Sequence, residues 1–533
     1  MKILSFINLS RSFVELTFCC LAIFVAASTA RGETPALSVS PTVIGVKECA
    51  ACHSAPSPIY EQLGVTSFIR LTEASEWLQN DKHAQAYELI RLDLTEEEFH
   101  SVDRISNQRS RDICQKLGWS KGDGNFEKQC LTCHAGLDSR TNLDANTSSL
   151  LRFGVQCEAC HGPGSIYTRI ENHQQTTWRE KTPLEKSELG MLDLASPSVA
   201  AKVCWSCHLG NIEQHRFVTH PMYAAGHPPL PPVDLQVFQD AMPPHWKELK
   251  DKPLSNHVQS QSPATFAKQQ EYYQARFGIA SATDIDYQSW RDSYDRTRRS
   301  MLGSIAANDV GIQLIHDAAE RPELWGDFAI YDCTGCHHEL SKSKPRWRPL
   351  DRTPGRAYPA MWWSLEYHSK SSEQKLTSTT LNEEVLSAFD RVPFGDRSEL
   401  VASSSAHADA LRVRHQVRQS MTRKPMTESE VRDWLVHLLE SRREMLGDYW
   451  TAKQTAWMFQ VAVRELVDHQ AISDNPSLEK LDELSKELNL SFRIEPRMSV
   501  LVNLEGSLEK SRTYDEKSCL LLLEELAKIV ATK

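Results

Sequence analysis

The chain has 533 residues, of which 40% are apolar and 24% are charged, and its formal net charge is −10. A chain of this length predicts two or three domains, and the composition changes below indicate two. The 60 basic residues are outnumbered by 70 acidic ones. No basic surplus is available to neutralise phosphates, which argues against nucleic acid as a partner.

The first segment, residues 1–30, has the features of a secretory signal. Lys2 and Arg11 supply positive charge, an apolar stretch runs from Leu16 to Ala27, and small residues precede Arg31. An uncleaved membrane anchor is the alternative, but the apolar stretch is short against the roughly 20 residues that a spanning helix needs. We therefore predict cleavage and a periplasmic or otherwise exported protein. Membrane association is expected only if this segment stays uncleaved.

The next signal is a repeated cysteine motif. Ten of the 14 cysteines form five copies of Cys-x-x-Cys-His. The copies are Cys49-Ala-Ala-Cys52-His53, Cys130-Leu-Thr-Cys133-His134, Cys157-Glu-Ala-Cys160-His161, Cys204-Trp-Ser-Cys207-His208 and Cys333-Thr-Gly-Cys336-His337. This is the attachment sequence for c-type haem, because two thiols at this spacing can bond the haem vinyl groups and the next imidazole can bind the iron. We predict five covalent haems, with the five motif histidines as proximal ligands.

Structural zinc and disulfides are the alternatives to haem at these motifs. Zinc has no reason to require a histidine after every cysteine pair. Disulfides are common in exported proteins but also leave the histidines unexplained. Cys114 and Cys519 lie outside the motifs, and each is expected to be a free thiol or to share a disulfide with the other.

The motif-bearing region is predicted to be mainly α with long loops. Motifs two to four lie between Cys130 and His208. A compact unit of that size has a radius of gyration of roughly 12 Å, so three haems must be near neighbours. Helical material is expected at 73–91 and 263–325, and Pro-rich loops at 221–253 and 345–359.

The composition changes after Tyr367. Residues 368–380 are rich in Ser, Thr and Lys, which indicates a linker between a pentahaem domain at 31–367 and a haem-free helical domain at 381–533. Within the second domain, Thr427 and Glu430 form a predicted capping box, and Asn475-Pro476 is expected to start another helix. The Trp and Leu residues at helical spacing are interpreted as core.

Each iron has a second axial position, and 15 of the 20 histidines lie outside the motifs. His83 is in a helix-like segment, and His220 and His227 are on a loop that prolines stiffen. His338 follows a proximal ligand directly, so it could serve only a neighbouring haem. His173 is a weaker candidate. Histidines of the helical domain, at positions 407, 415, 437 and 469, are not expected to be ligands.

Three phrases of the sequence resemble a known family. They are Gly154-Val155-Gln156-Cys157-Glu158-Ala159-Cys160-His161-Gly162-Pro163-Gly164, Ala224-Ala225-Gly226-His227-Pro228 and Tyr331-Asp332-Cys333-Thr334-Gly335-Cys336-His337-His338-Glu339-Leu340. Over residues 45–365 the chain is similar to the multihaem cytochrome c-554 family, especially its larger planctomycete-like forms. The resemblance implies a mainly α fold, haems in closely packed pairs and electron exchange with respiratory partners. The family prototype has four haems and no long helical extension, so its partner and ligand scheme do not transfer directly.

Two functions follow from these observations. The first is an electron carrier with redox protein partners and no small-molecule substrate, in which the protein tunes the haems. The second is an oxidoreductase that acts on a small nitrogen or sulfur compound at one open iron. Pentahaem nitrite reductases use a Cys-x-x-Cys-Lys motif, which this sequence lacks. A docking subunit of a larger redox complex is a third possibility, and a carrier or complex subunit is favoured over an enzyme.

Overall fold

The computed structural model describes residues 40–62, 66, 69–92, 104–122, 124–136, 150–173, 178, 181–228, 230, 233–247, 293–331, 397, 425–440, 446, 449–490 and 513–531. These residues are mostly helical. No β-strand occurs in them, and Asn211 and Arg216 form an isolated antiparallel bridge. The predicted mainly α fold is thereby confirmed. All the described helices belong to one compact unit, Val43–Lys533.

The described α-helices are numbered here in chain order. They are α1 Val46–His53, α2 Pro58–Gln62, α3 Glu73–Asn80, α4 Arg104–Leu117, α5 Thr132–His134, α6 Cys157–His161, α7 Pro183–Glu188, α8 Pro197–His208, α9 His220–Ala225, α10 Leu235–Ala241, α11 Asp295–Glu320, α12 Pro322–Trp325, α13 Glu428–Glu440, α14 Tyr449–Asp468, α15 Asp474–Leu488 and α16 Glu516–Ala531. Short 3₁₀ turns at Lys82–Gln85, Leu151–Phe153 and Phe328–Ile330 and a π turn at Glu127–Leu131 complete the order.

The motif-bearing helices end at their histidines. α1, α5, α6 and α8 each finish at the proximal histidine of a motif. After α6 the chain turns at Gly162, whose φ is 83°. A side chain there would run into the carbonyl oxygen of Gly190, so glycine is required on two grounds. Each of these four helices therefore ends where its motif ends.

Helix α11 is the long central helix of the unit. It packs against α8, α10 and α14. Small residues allow this close packing: a Cβ at Gly303 would lie 2.6 Å from the Cβ of Leu235. On another side, the indole of Trp205 donates a hydrogen bond to the Gly303 carbonyl at 3.2 Å. Because Trp205 is in the fourth motif, this hydrogen bond fixes that motif against α11.

The carboxy-terminal helices α13 to α16 enclose one apolar core. Trp434, Trp457 and Phe459 are fully buried in it. The predicted capping box is confirmed, since Glu430 N–H donates to the Thr427 hydroxyl at 3.4 Å and Thr427 N–H donates to the Glu430 carboxylate at 2.8 Å. The predicted helix start at Asn475-Pro476 is likewise confirmed by α15.

This core also includes residues that precede the predicted linker in the chain. Val237 of α10 and Met301 of α11 belong to it. In addition, the Glu465 carboxylate accepts the backbone N–H groups of Arg296, at 2.9 Å, and Thr297, at 2.8 Å, at the start of α11. The predicted linker 368–380 lies outside the described residues, so the division into two domains stays a prediction.

The sequence predicts membrane association only if the first segment of the chain stays uncleaved. The predicted signal, residues 1–30, lies outside the described residues. Among the helices that the structure describes, none combines the length and the apolarity needed to cross a membrane.

Candidate haem sites

Four of the five attachment motifs lie among the described residues, and they meet in pairs. The Cys49 thiol of the first motif lies close enough to the Cys157 thiol of the third for each to shift the pKa of the other. The Cys133 thiol of the second motif lies equally close to the Cys207 thiol of the fourth, by the same effect on both pKa values. The fifth motif, with Cys333, Cys336 and His337, lies outside the described residues, as does His338.

The side chain of Glu158 joins the first and third motifs. It occupies a variable position of the third motif and is buried. Its carboxylate accepts backbone N–H groups from Ile44 at 3.0 Å, Gly45 at 2.7 Å and Gly164 at 2.6 Å. Beside it, Gln156 accepts the Val46 N–H at 2.9 Å. These bonds satisfy free donors at the start of α1 and fix the first motif against the third.

Three motif histidines lie near a histidine from outside the motifs. The ring centres are 6.0 Å apart for His53 and His173, 6.2 Å for His208 and His83, and 6.4 Å for His161 and His245. Two imidazoles that bind opposite faces of one iron hold their ring centres about 6 Å apart, since each metal–nitrogen bond is about 2 Å long. The three pairs therefore have the separation that two axial ligands require.

The second motif also has a histidine from outside the motifs nearby. Burial lowers the pKa of His227, and His134 lies close enough to lower it further. Helix α9 holds His227 there, and Lys116 of α4 donates to the Ala225 carbonyl at 2.8 Å.

His220, the other loop candidate, is placed differently. Its ring packs edge-on against Phe328, with centres 5.5 Å apart, and its backbone N–H donates to the Asp327 carboxylate at 2.9 Å. Phe328 and Asp327 lie on the segment of chain that leads into the fifth motif. His220 is thus directed towards that segment.

Most of these histidines use Nδ1 for a hydrogen bond to an acceptor. The acceptors are Glu73 Oε2 for His53 at 3.0 Å, Asp81 Oδ1 for His83 at 2.9 Å, the Ala86 carbonyl for His134 at 3.1 Å, the Pro228 carbonyl for His227 at 2.7 Å and the Pro243 carbonyl for His245 at 3.3 Å. A carboxylate or carbonyl can only accept, so Nδ1 carries the proton. The lone pair is then on Nε2, where a metal can bind it.

The surroundings keep several of these rings neutral. Desolvation is the largest cause and lowers the pKa of His161, His173, His208 and His227 to about 4. Desolvation also lowers the pKa of His83, but the hydrogen bond to Asp81 and its charge outweigh that effect, so the pKa of His83 lies above its ordinary value. A neutral imidazole is the form that binds a metal.

Two of these partners carry only a weak signal in the sequence. His245 is not among the predicted ligands, although the two prolines before it stiffen its loop as prolines do for His220 and His227. His173 is the weaker candidate by sequence, yet it packs between His53 and Trp178, with its ring centre 5.0 Å from that of the indole. Its Nδ1 is buried without a hydrogen-bond partner in the described part of the chain.

A glycine allows the segment before the third motif to approach His83. Gly154 has φ of 60°, and a side chain there would run into the carbonyl oxygens of His83 and Ala84. The next residue, Val155, donates its N–H to the His83 carbonyl at 2.8 Å. Gly154 therefore allows the segment before the third motif to lie directly on the His83 segment.

The donor set fits haem c. Each described motif offers two thiols and an imidazole, and each of the four imidazoles has a second imidazole near it. None of the ten described cysteines forms a disulfide. Cys114 and Cys519 are buried in two different cores, so they do not share a disulfide with each other.

Comparison with known proteins supports this assignment. Residues 48–162, which contain the first three motifs, match the family model described as cytochrome c554 and c-prime. No curated protein and no solved structure matches the chain at a significant level. Proteins of this family are c-type cytochromes that bind haem c covalently and transfer electrons between redox protein partners, and they are generally exported. Residues 48–162 of this chain are thus similar to c-type cytochromes of the c554 kind.

Proposed function

We propose that the protein is an exported electron carrier with five covalent haems, one at each Cys-x-x-Cys-His motif. The observation that carries the proposal is the pairing of imidazoles at 6.0 Å, 6.2 Å and 6.4 Å. If each pair of imidazoles held one iron, no position would be left open for a small substrate, and the bound haem would supply electron exchange, which is the chemistry of a carrier.

In this proposal each part of the chain has a defined task. Bound haem supplies an iron that alternates between its ferrous and ferric states. The ten motif cysteines hold the group, and the five motif histidines are proximal ligands. The proposed distal ligands are His173 for the first motif, His227 for the second, His245 for the third and His83 for the fourth. His220 remains a proposed ligand for the fifth haem, and His338 remains a proposed ligand for a neighbouring haem.

The first motif is the proposed point of exchange with a protein partner. Cys52 is exposed, whereas the other described motif cysteines are half-buried. The surrounding segment, residues 50–58, contains no Lys, Arg, Asp or Glu. An exposed attachment site on a segment without charged side chains lets a partner approach closely with little desolvation of charge. Ala51→Trp should lower several-fold the rate at which a small reduced c-type cytochrome reduces the protein. Leu521→Trp, at an exposed position of α16, should leave that rate unchanged.

The coordination proposal is tested by removing single distal histidines. His245→Ala and His227→Ala should each create a high-spin signal in the visible and EPR spectra while the covalent haem content stays at five. His469→Ala is the matched control, since His469 stacks on Tyr294 with centres 4.5 Å apart and is not a proposed ligand. A spectrum that does not change in His245→Ala would remove His245 from the scheme.

The alternative function is tested on the unchanged protein. An intact mass should show a chain that starts near Arg31 and carries five haems. The fully reduced protein should not sustain multiple turnovers with nitrite, hydroxylamine, nitric oxide or tetrathionate. Sustained oxidation by any one of them would establish a multihaem oxidoreductase with an open iron and would reject the carrier.

A further inference from the structure

Arg216 lies at the junction of the second and fourth motifs. Its Nε donates to the Thr132 carbonyl and its terminal nitrogen donates to the Ser206 hydroxyl, each at 2.9 Å. Thr132 and Ser206 hold the same place in their motifs, directly before the second cysteine. One guanidinium therefore bonds equivalent positions of two attachment motifs.

The backbone holds Arg216 firmly in this place. Asn211 and Arg216 exchange hydrogen bonds, and the Arg216 N–H donates to the Asn211 carbonyl at 2.8 Å. A side chain at Gly210, whose φ is 139°, would lie 2.7 Å from the Arg216 carbonyl oxygen. His215, the residue before Arg216, is also bonded to the second motif, because the Thr132 hydroxyl donates to the His215 carbonyl at 3.2 Å. The position of the guanidinium is thus set by a tight turn and by both motifs.

The charge of this guanidinium is buried. Arg216 is 8% exposed, and arginine stays protonated in proteins. Within the described part of the chain its hydrogen-bond partners are a carbonyl and a hydroxyl, and no carboxylate forms an ion pair with it. Arginines are seldom buried without a paired charge, because desolvation of a charged group costs free energy.

Carboxylates lie beside the first and third motifs, although the charge of Arg216 also reaches Cys160 of the third. The Glu73 carboxylate accepts from His53, and the Glu158 carboxylate is buried beside Cys157. At the second motif, by contrast, His134 and His227 donate to neutral carbonyl groups of Ala86 and Pro228. The fourth motif shares Arg216 with the second, although Asp81 accepts from His83.

We propose that Arg216 is a positioning residue whose buried positive charge raises the reduction potential of the haems at the second and fourth motifs. This inference rests on the proposed function, since it concerns the haems attached there. A nearby cation stabilises the reduced iron, which has one positive charge less than the oxidised iron. Two unit charges about 10 Å apart at an effective dielectric constant of about 20 shift an equilibrium on the order of tenfold. The effect should be largest at the second and fourth motifs, because Arg216 bonds residues of both.

The test is a spectroelectrochemical titration of the full-length holoprotein. In Arg216→Gln, two of the five component midpoints should fall, each by about the 59 mV that corresponds to a tenfold change for one electron. Arg216→Lys keeps the charge and should keep both midpoints near their original values. Arg321→Gln is the matched control: Arg321 donates to the Ile212 carbonyl of the same turn at 3.1 Å but bonds neither motif. Its midpoints should not move.

A second variant covers the case in which Arg216→Gln fails to mature. Ser206→Asp places a carboxylate beside the guanidinium, so it neutralises the charge while Arg216 remains, and it should lower the same two midpoints. Unchanged midpoints in either mature variant would overturn the role of Arg216. Failure of the proposed function looks different, because peptide mapping of the unchanged protein would then find no haem on the second or fourth motif.

Discussion

The motif-bearing region at 43–247 and the carboxy-terminal helices are stabilised in different ways. In the first, most α-helices are short and the apolar clusters around motifs one to three are small: Val46, Trp77 and Ala84 form one of them. The fourth motif belongs to a larger cluster that it shares with α11. Hydrogen bonds from side chains such as Glu158 and Arg216 join its segments. In the second, helices of 13 to 20 residues share one large apolar core. The segments around motifs one to three have little apolar core of their own, so they must draw stability from the groups that they bind, whereas the helical region does not.

The largest expected effect comes from removing one attachment site. Cys157→Ser together with Cys160→Ser should abolish attachment at the third motif and destabilise the segments that Glu158 and Gly154 hold around it. Mass spectrometry should then find fewer than five haems, and limited proteolysis should degrade residues 43–247 before the carboxy-terminal helices. Cys114→Ser, a buried cysteine outside the motifs, is the control and should keep five haems. Equal degradation of both regions would show that the contrast between them is wrong.

The next effect is expected in the carboxy-terminal core. Trp457 is fully buried, and its indole donates to the Leu490 carbonyl at 3.2 Å. Trp457→Ala should lower the free energy of unfolding of these helices by about 3–5 kcal/mol. Thermal unfolding followed by far-UV circular dichroism measures the change, and Leu521→Ala, at an exposed position of α16, should change little.

The same variant shows how far the two regions depend on each other. Val237 and Met301 contact this core, and Glu465 caps α11. Under the predicted division at 368–380, the visible spectrum of Trp457→Ala should nevertheless stay unchanged below the unfolding temperature. A loss of low-spin haem signal at the same temperature as the loss of helix would mean that the regions unfold together and that the domain boundary is misplaced.

A smaller effect is expected at Gly154, where backbone conformation and a close contact both matter. Gly154→Ala should cost about 2–4 kcal/mol, because the residue has φ of 60° and its side chain would displace the His83 segment. The displacement should appear as a change in the low-spin spectrum of one haem. Gly122→Ala separates the two causes: φ there is 89°, with nothing within 4 Å, so only the backbone strain applies. Equal destabilisation of the two variants would contradict the contact.

The smallest effect concerns the buried Lys453 in α14. Desolvation lowers the pKa of Lys453 from 10.5 to about 7. The folded state therefore binds fewer protons at this side chain than the unfolded state between these values, so its contribution to stability rises with pH. From pH 7 to pH 9 the gain should be about 2 kcal/mol. Lys453→Met should remove that part of the slope in denaturant unfolding at a series of pH values; parallel slopes in the two proteins would reject the effect.

Particular residues show what could be read from the sequence. The motif spacing is local, so it identified the attachment cysteines and proximal histidines as candidates, and the capping box at Thr427 and Glu430 was equally readable because its two bonds join residues three apart. The pairing of His161 with His245, or of His208 with His83, joins positions that are far apart in the chain. No local pattern encodes such a contact.

The sequence by itself therefore identified the candidate attachment residues through local spacing, and the resemblance of three phrases to a c-type cytochrome family implied the mainly α fold of the motif-bearing region. Only the tertiary structure decided which histidines face each other, that the thiols of motifs one and three and of motifs two and four meet, and that Arg216 lies between Thr132 and Ser206. These features depend on how separate segments pack, through a glycine at 154, a carboxylate at 158 and a turn at 211–216. Packing over long sequence separations is what a single sequence does not display.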